Sequence, residues 1–151
     1  MSGISVTDEL LSLYADFKKA PASHKWMTFN LKKTDATTFE YSYDPSTWEP
    51  ADTDPSNNEA LWEKLKTTLP EDDHVFVLFD FTANHADGRL INKIILVKWC
   101  PDTVHFRVKP VVGASYQSLK DKLEGISADL QATEVDDLEY ESVLKLVGAA
   151  Q

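Results

Sequence analysis

Residues 88–133 read GRLINKIILVKWCPDTVHFRVKPVVGASYQSLKDKLEGISADLQAT, and their order decides the fold. Residues 91–99 are almost all β-formers, and Pro101, which cannot donate to a ladder and disfavours helix at the residue before it, ends them. Beyond a basic crossing through Arg107 and Lys109, Val112, Tyr116, Leu119, Leu123 and Ile126 fall at the 4-3-4-3 spacing of one helix face. Gly113, Gln117, Lys120 and Glu124 take the opposite face. A second strand closes the stretch. A helix with one apolar stripe to bury and one partly basic stripe to offer suits docking onto an acidic partner.

Working outward, Leu10, Leu13, Tyr14 and Phe17 share a face, and Thr7, Asp8 and Glu9 suit a helix start, so a helix is predicted over residues 6–19. Residues 24–31 and 36–43 read as a hairpin turning through Lys32-Lys33-Thr34-Asp35. Residues 43–58 carry three prolines among Asp, Ser and Asn and read as a loop, with Trp48 expected to be exposed. Ser56 and Glu59 have capping-box spacing for a helix through Thr68 with Leu61, Trp62 and Leu65 inward. Residues 74–82 are a nearly continuous apolar run, as expected in the middle of a sheet covered on both faces. A last helix is predicted over residues 134–147, burying Val135, Leu138, Val143, Leu146 and Val147. The class that follows is α/β: a mixed (α+β) sheet of about five strands with helices on both faces, as one domain over residues 1–151.

At 151 residues, 42% hydrophobic and with four tryptophans, the chain can bury a core without staples. A single cysteine, Cys100, excludes an internal disulfide framework. No basic segment followed by an apolar run opens the chain, and no apolar run approaches the roughly 20 residues of a membrane span. The expectation is an intracellular, cytoplasmic protein with no integral membrane segment. A net charge of −10 argues against a nucleic-acid partner. Yet acid gathers in residues 40–73 and 129–141, and base in residues 18–33 and 89–122, so a locally basic face can steer the protein to an acidic surface.

Catalytic and metal patterns fail on their own chemistry. Gly113-Ala114-Ser115-Tyr116-Gln117 approaches a nucleophile elbow, but Gln117 replaces the glycine that the sharp turn needs. Asp52, Asp54, Ser56 and Glu63 fall at positions 1, 3, 5 and 12 of a calcium loop, but Asn57 stands where glycine makes the turn and Pro55 stiffens the segment. His24, His74, His85 and His105 have no ligand spacing. Cys100, between Trp99 and Pro101, reads as a packing residue. The expectation is a protein that is not an enzyme, holds no metal and needs no cofactor.

Short motifs in the right order then carry a resemblance. Met1-Ser2-Gly3-Ile4-Ser5-Val6, Leu69-Pro70-Glu71-Asp72-Asp73, Asn92-Lys93-Ile94, Trp99-Cys100-Pro101-Asp102, Leu130-Gln131-Ala132-Thr133 and Tyr140-Glu141-Ser142-Val143-Leu144 resemble segments of the actin-depolymerising factor/cofilin family. The resemblance implies that family's homology fold, and a monomeric, cytoskeleton-associated regulator that binds monomeric and filamentous actin, depolymerises filaments and severs them. By position it implies actin contacts at Ser2, Gly3, Arg107, Lys109, Ser115, Lys120 and Lys122. A weaker, filament-only contact falls on Arg89, Lys93 and Lys145. Ser2 matches a serine whose phosphorylation blocks actin binding in many members, through the added negative charge. Competition by phosphoinositides is a further implication.

The long helix departs from the family. Where members have Met-x-Tyr-Ala-Ser-Ser-Lys, this chain has Pro110-Val111-Val112-Gly113-Ala114-Ser115-Tyr116. Pro110 suits a first helical turn, whereas Gly113 costs about 1 kcal/mol relative to Ala. An apolar anchor and a charge are missing, and the acidic 43–58 loop adds repulsion wherever it lies near actin. Two readings stand: a divergent depolymerising factor, or a coactosin-like or drebrin-like module that binds filament sides without severing.

Overall fold

The computed structural model describes residues 4–148. Its elements are α1 (Asp8–Phe17), β1 (His24–Lys33), β2 (Phe39–Ser42), β3 (Glu49–Pro50), α2 (Asn58–Thr67), β4 (Val75–Asn84), β5 (Leu90–Trp99), α3 (Lys109–Lys122), β6 (Ile126–Ala132) and α4 (Tyr140–Leu146). The sheet runs β2-β1-β4-β5-β6, with β3 as a sixth, two-residue strand on β1. All pairs are antiparallel except β5 with β6, which are parallel and joined by α3. A parallel pair needs such a long crossover, and α3 supplies it.

Side chains alternate across the sheet and feed two cores. Met27, Phe29, Phe76, Leu78 and Leu96 face α1 and α3. Trp26, Val77, Phe79, Phe81 and Val97 face α2 and α4. Central β4 is buried on both sides, which is why its sequence is nearly all apolar, interrupted within the buried stretch only by Asp80 and Thr82.

Most boundaries lie close to the sequence expectation, but α3 ends at Lys122, so Ile126, expected on its apolar face, instead opens β6. Likewise β1 runs on through Lys32 and Lys33, expected in the turn, to pair Lys33 with Phe39. Thr7 caps α1, its hydroxyl accepting from Leu10 N–H at 3.1 Å. The expected capping box at Ser56 does not form. Instead Asp54 accepts from Ser56 N–H at 2.9 Å and starts a 3-10 turn that leads into α2. The 43–58 segment is likewise no free loop, and Trp48 is buried, contrary to expectation. Its indole N–H donates to Thr28 O at 2.9 Å and its ring meets His24 edge-on at 5.2 Å, so the segment is pulled down to pair β3 with β1. The last predicted helix divides into a 3-10 turn (Val135–Leu138) and α4, and Val135 and Leu146 face outward rather than into the core.

Two buried polar groups link elements. His74, just before β4, accepts Leu31 N–H on Nε2 at 2.9 Å, with Nδ1 3.0 Å from Asp73 Oδ1. The ring thereby takes the place of a ladder carbonyl beyond Phe29↔Phe76, where β1 has left β4. Burial pushes its pKa down, against the opposing pull of Asp73, and so favours the neutral ring that this acceptor role requires. Lys25 is fully buried. Its Nζ donates to Asn58 Oδ1 at 2.8 Å and Thr82 Oγ1 at 3.2 Å, 5.0 Å from the centre of the Phe79 ring. Desolvation lowers its pKa to about 8, although Asp80 and Asp52 oppose the shift.

Candidate functional site

The foot of α3 is built by its own backbone. His105 O accepts Val108 N–H at 2.9 Å and Lys109 N–H at 3.2 Å, and His105 Nδ1 accepts Arg107 N–H at 3.1 Å. Pro110 then enters the first turn, where the amide proton it lacks is not needed. This places Arg107 fully outward, while Lys109 lies half-buried with its Nζ donating to Asp102 O at 2.7 Å. Between the foot and the β1–β2 turn lies an open cleft of about 980 Å³, lined by Ile4, Lys33, Phe39, Phe106, Arg107 and Val111 among others. Arg107 and Lys33 therefore face a shared apolar floor.

The other residues expected on this surface are placed differently from one another. Ser115 is fully buried, so it is not presented to a partner; its hydroxyl accepts Ile4 N–H at 3.2 Å and pins the N-terminal segment to α3. The Tyr41 hydroxyl, buried without a hydrogen-bond partner among the described residues, lies in the same core. Ser2 and Gly3 lie outside the described residues. Lys122 is exposed. Lys120 is one-third exposed and stands 3.5 Å from Asp129 Oδ2 and 5.5 Å from the Tyr116 ring, so its charge is partly answered within the molecule. Tyr116 itself is buried, its hydroxyl donating to Asp129 Oδ2 at 2.5 Å, and desolvation, reinforced by Asp129, raises its pKa. It ties α3 to β6 instead of facing solvent.

The C-terminal end of α3 is fixed with equal care. Gly125, at φ +91°, makes the left-handed turn into β6 that a side chain would strain. Beside it Tyr14 O–H donates to Glu124 O at 2.6 Å, locking α1 to that turn.

Arg89, Lys93 and Lys145 form no single cluster with the α3 foot. Arg89 Nε donates to Asp87 Oδ2 at 2.7 Å in the β4–β5 turn, and Lys93 lies exposed early in β5. By alternation Lys93 is on the α4 side of the sheet, where Lys145 is also exposed. Thus the strand's start faces one candidate surface and its far end leads to the other. The acidic segment is remote from the cleft, because β3 pairs with the His24 end of β1 whereas Lys33 at the opposite end lines the cleft. Its carboxylates are occupied locally: Asp44 and Asp54 accept from Ser46 and Ser56, and Asp52 from Asp54 N–H and Asn57 Nδ2. No group of three or more His, Cys, Asp or Glu among the described residues is arranged to hold a metal ion.

Sequence reasoning passed over Phe106, Lys33 and Ile4. Phe106 had a signal, being a large aromatic residue in the polar crossing between His105 and Arg107. Lys33 lies in the basic stretch 18–33 and Ile4 in the opening motif, but only the folded chain brings residues 4, 33 and 107 to one cleft.

The sheet is covered on both faces, and the basic helix foot stands beside a cleft with apolar side chains in its lining. The family model described as cofilin/tropomyosin-type actin-binding protein matches residues 3–148, and the chain belongs to that family. It is 34% identical to cofilin of Saccharomyces cerevisiae over 150 residues, covering 97% of this chain and 93% of that protein. Among solved structures it is similar to actin depolymerization factor 2 of Plasmodium berghei, with TM-score 0.78 and 20% identity over 98% of this chain and 99% of that one. Coactosin from Entamoeba histolytica is similar with TM-score 0.74 and 15% identity over 98% and 96%. Similarities at these identities show the shared fold.

Proposed function

We propose that this chain binds actin, as monomer and in filaments, accelerates subunit loss and severs filaments, acting as a cytoplasmic, cytoskeleton-associated regulator without an enzymatic step. The observation that carries this reading is the family match across residues 3–148, joined to the outward Arg107 and half-buried Lys109 at the α3 foot. Actin contact then falls on Arg107 and Lys109, with Lys122 and the partly answered Lys120 further along the helix and Ser2 and Gly3 alongside. Ser115 acts indirectly, by positioning Ile4. Arg89, Lys93 and Lys145 form the filament-only contact, and phosphoinositides compete at the basic foot.

A coactosin-like reading, in which the protein binds filament sides without severing, is favoured by one observation. Tyr116 stands where depolymerising members have a lysine and is buried rather than offered. Pyrene-actin disassembly together with filament imaging separates the two readings. Faster disassembly and more filament ends are expected with the wild-type chain. Filament binding without faster disassembly sinks the depolymerising reading, and no binding to either form of actin sinks both.

The N-terminal contact has its own test. Ser2→Asp adds a negative charge facing an acidic partner, so monomer affinity is expected to fall about tenfold. Unchanged affinity in a fluorescence titration removes Ser2 from the interface.

A further inference from the structure

The outward side of α3 lacks what protein interfaces depend on. Its valines, Tyr116, Leu119 and Leu123 are buried, and Pro110, Gly113, Ala114, Gln117 and Asp121 remain on or near the surface. None of these is a large apolar group, yet a few buried aromatic or apolar anchors carry most of the binding energy at an interface. One such group stands at the helix foot. Phe106 is 70% exposed, more than any other large hydrophobic residue among the described residues.

Its ring is held rather than loose. The His105 ring stacks on it at 4.6 Å and 24°, and the Arg107 guanidinium carbon lies 5.6 Å from its centre. The same His105 closes the turn through its carbonyl and Nδ1. An aromatic side chain fixed before binding loses little conformational freedom on docking. The charges around it also select the partner: Arg107 and Lys33 line the same cleft as Phe106 on a chain whose net charge is −10. A surface that meets this spot must be apolar at its centre and acidic at its rim.

We infer that Phe106 is the apolar anchor of the actin contact, flanked by the charges of Arg107 and Lys33, with His105 as its positioning residue. This rests on the actin reading above and adds a residue that reading did not contain. Because the ring is exposed in the free protein, it contributes to binding and not to the core.

Affinity for monomeric actin, measured by fluorescence titration at low and at high ionic strength, tests the inference with wild type, Phe106→Ala, Phe106→Trp and the Arg107→Ala, Lys109→Ala pair. Phe106→Ala is expected to bind about tenfold more weakly at both ionic strengths, with an unchanged melting temperature. Phe106→Trp is expected to stay within about threefold of wild type, since it restores an aromatic anchor. The deficit of the charge pair should instead shrink as salt rises. Phe106→Ala binding within about twofold of wild type, while the charge pair fails to bind, overturns the anchor and leaves the actin reading standing. Wild type that binds no actin overturns both.

Discussion

Alanine at both Arg107 and Lys109 is expected to weaken actin binding about 100-fold at low ionic strength, and to abolish accelerated disassembly at concentrations where wild type is saturating. On the proposed reading each side chain meets an acidic partner, and truncating one member of a desolvated charge pair costs about 2 kcal/mol or more. Two such losses, partly non-additive because the residues are neighbours, come to about 2.7 kcal/mol, which is the 100-fold change. The free protein should scarcely notice. Arg107 is exposed and rests on the Phe106 ring, and Lys109 gives up one exposed bond to Asp102 O. Its melting temperature should therefore stay close to wild type, since surface changes of this kind are worth about 0.5 kcal/mol. A correctly folded double variant that binds within about threefold of wild type would remove the α3 foot from the interface.

Lys25 gives the second large effect, on stability. Its folded pKa of about 8 lies below the 10.5 of a free lysine, because burial disfavours the ammonium. Between those values the unfolded chain binds more protons than the folded one, so stability rises with pH from about 8 to about 10.5. From pH 7 to 9.5 the gain from this group is about 2 kcal/mol. Tyr14, Tyr41 and Tyr43, each raised to about 12, act in the opposite sense only as pH rises through 10, above that range. Lys25→Met keeps the length of the stem and removes the charge. Asn58 Oδ1 still accepts Thr82 N–H at 3.0 Å, but the buried Thr82 hydroxyl loses its lysine donor and buried Asp80 loses its nearby positive charge. The comparison that isolates the titration is therefore the change with pH: wild type should gain about 2 kcal/mol on the variant between pH 7 and 9.5, because only wild type carries the buried ammonium. Denaturant unfolding of both proteins at the two pH values measures it. A stability difference between them that does not move with pH contradicts the assignment of a strained buried ammonium.

The parts of the fold that were legible in the sequence are those where one physical signal acts alone. The nearly continuous apolar run of β4 and the 4-3-4 spacing of Val112, Tyr116, Leu119 and Leu123 needed no tertiary knowledge, because burial on two faces or on one stripe writes itself into the pattern. The 43–58 segment was misread for the opposite reason. Its prolines and acids do make turns, but a single indole bond from Trp48 to Thr28 decides that the turns lie against the sheet, and that bond spans 20 residues. Val135 and Leu146 were assigned inward by assuming one regular helix, and the break at Glu139 rotates them out. At the candidate site, Arg107 and Lys109 could be found by charge and position. Ser115 could not be told from a contact residue, since burial under Ile4 is invisible to a motif.

β5 has a consequence for how the two candidate surfaces work together. Ten residues at about 3.3 Å each make a strut of about 30 Å, braced by β4 along its whole length and by β6 over its second half. Lys93 sits near one end and the α3 foot is reached from the other. A partner held at one end therefore sees the other end at a fixed span rather than on a tether. Only binding sites repeated at a matching interval gain from this bivalency, and they gain strongly because the second contact is made within the complex. Where both proposed surfaces are engaged, the strand acts as a gauge that fixes the spacing between the two contacts.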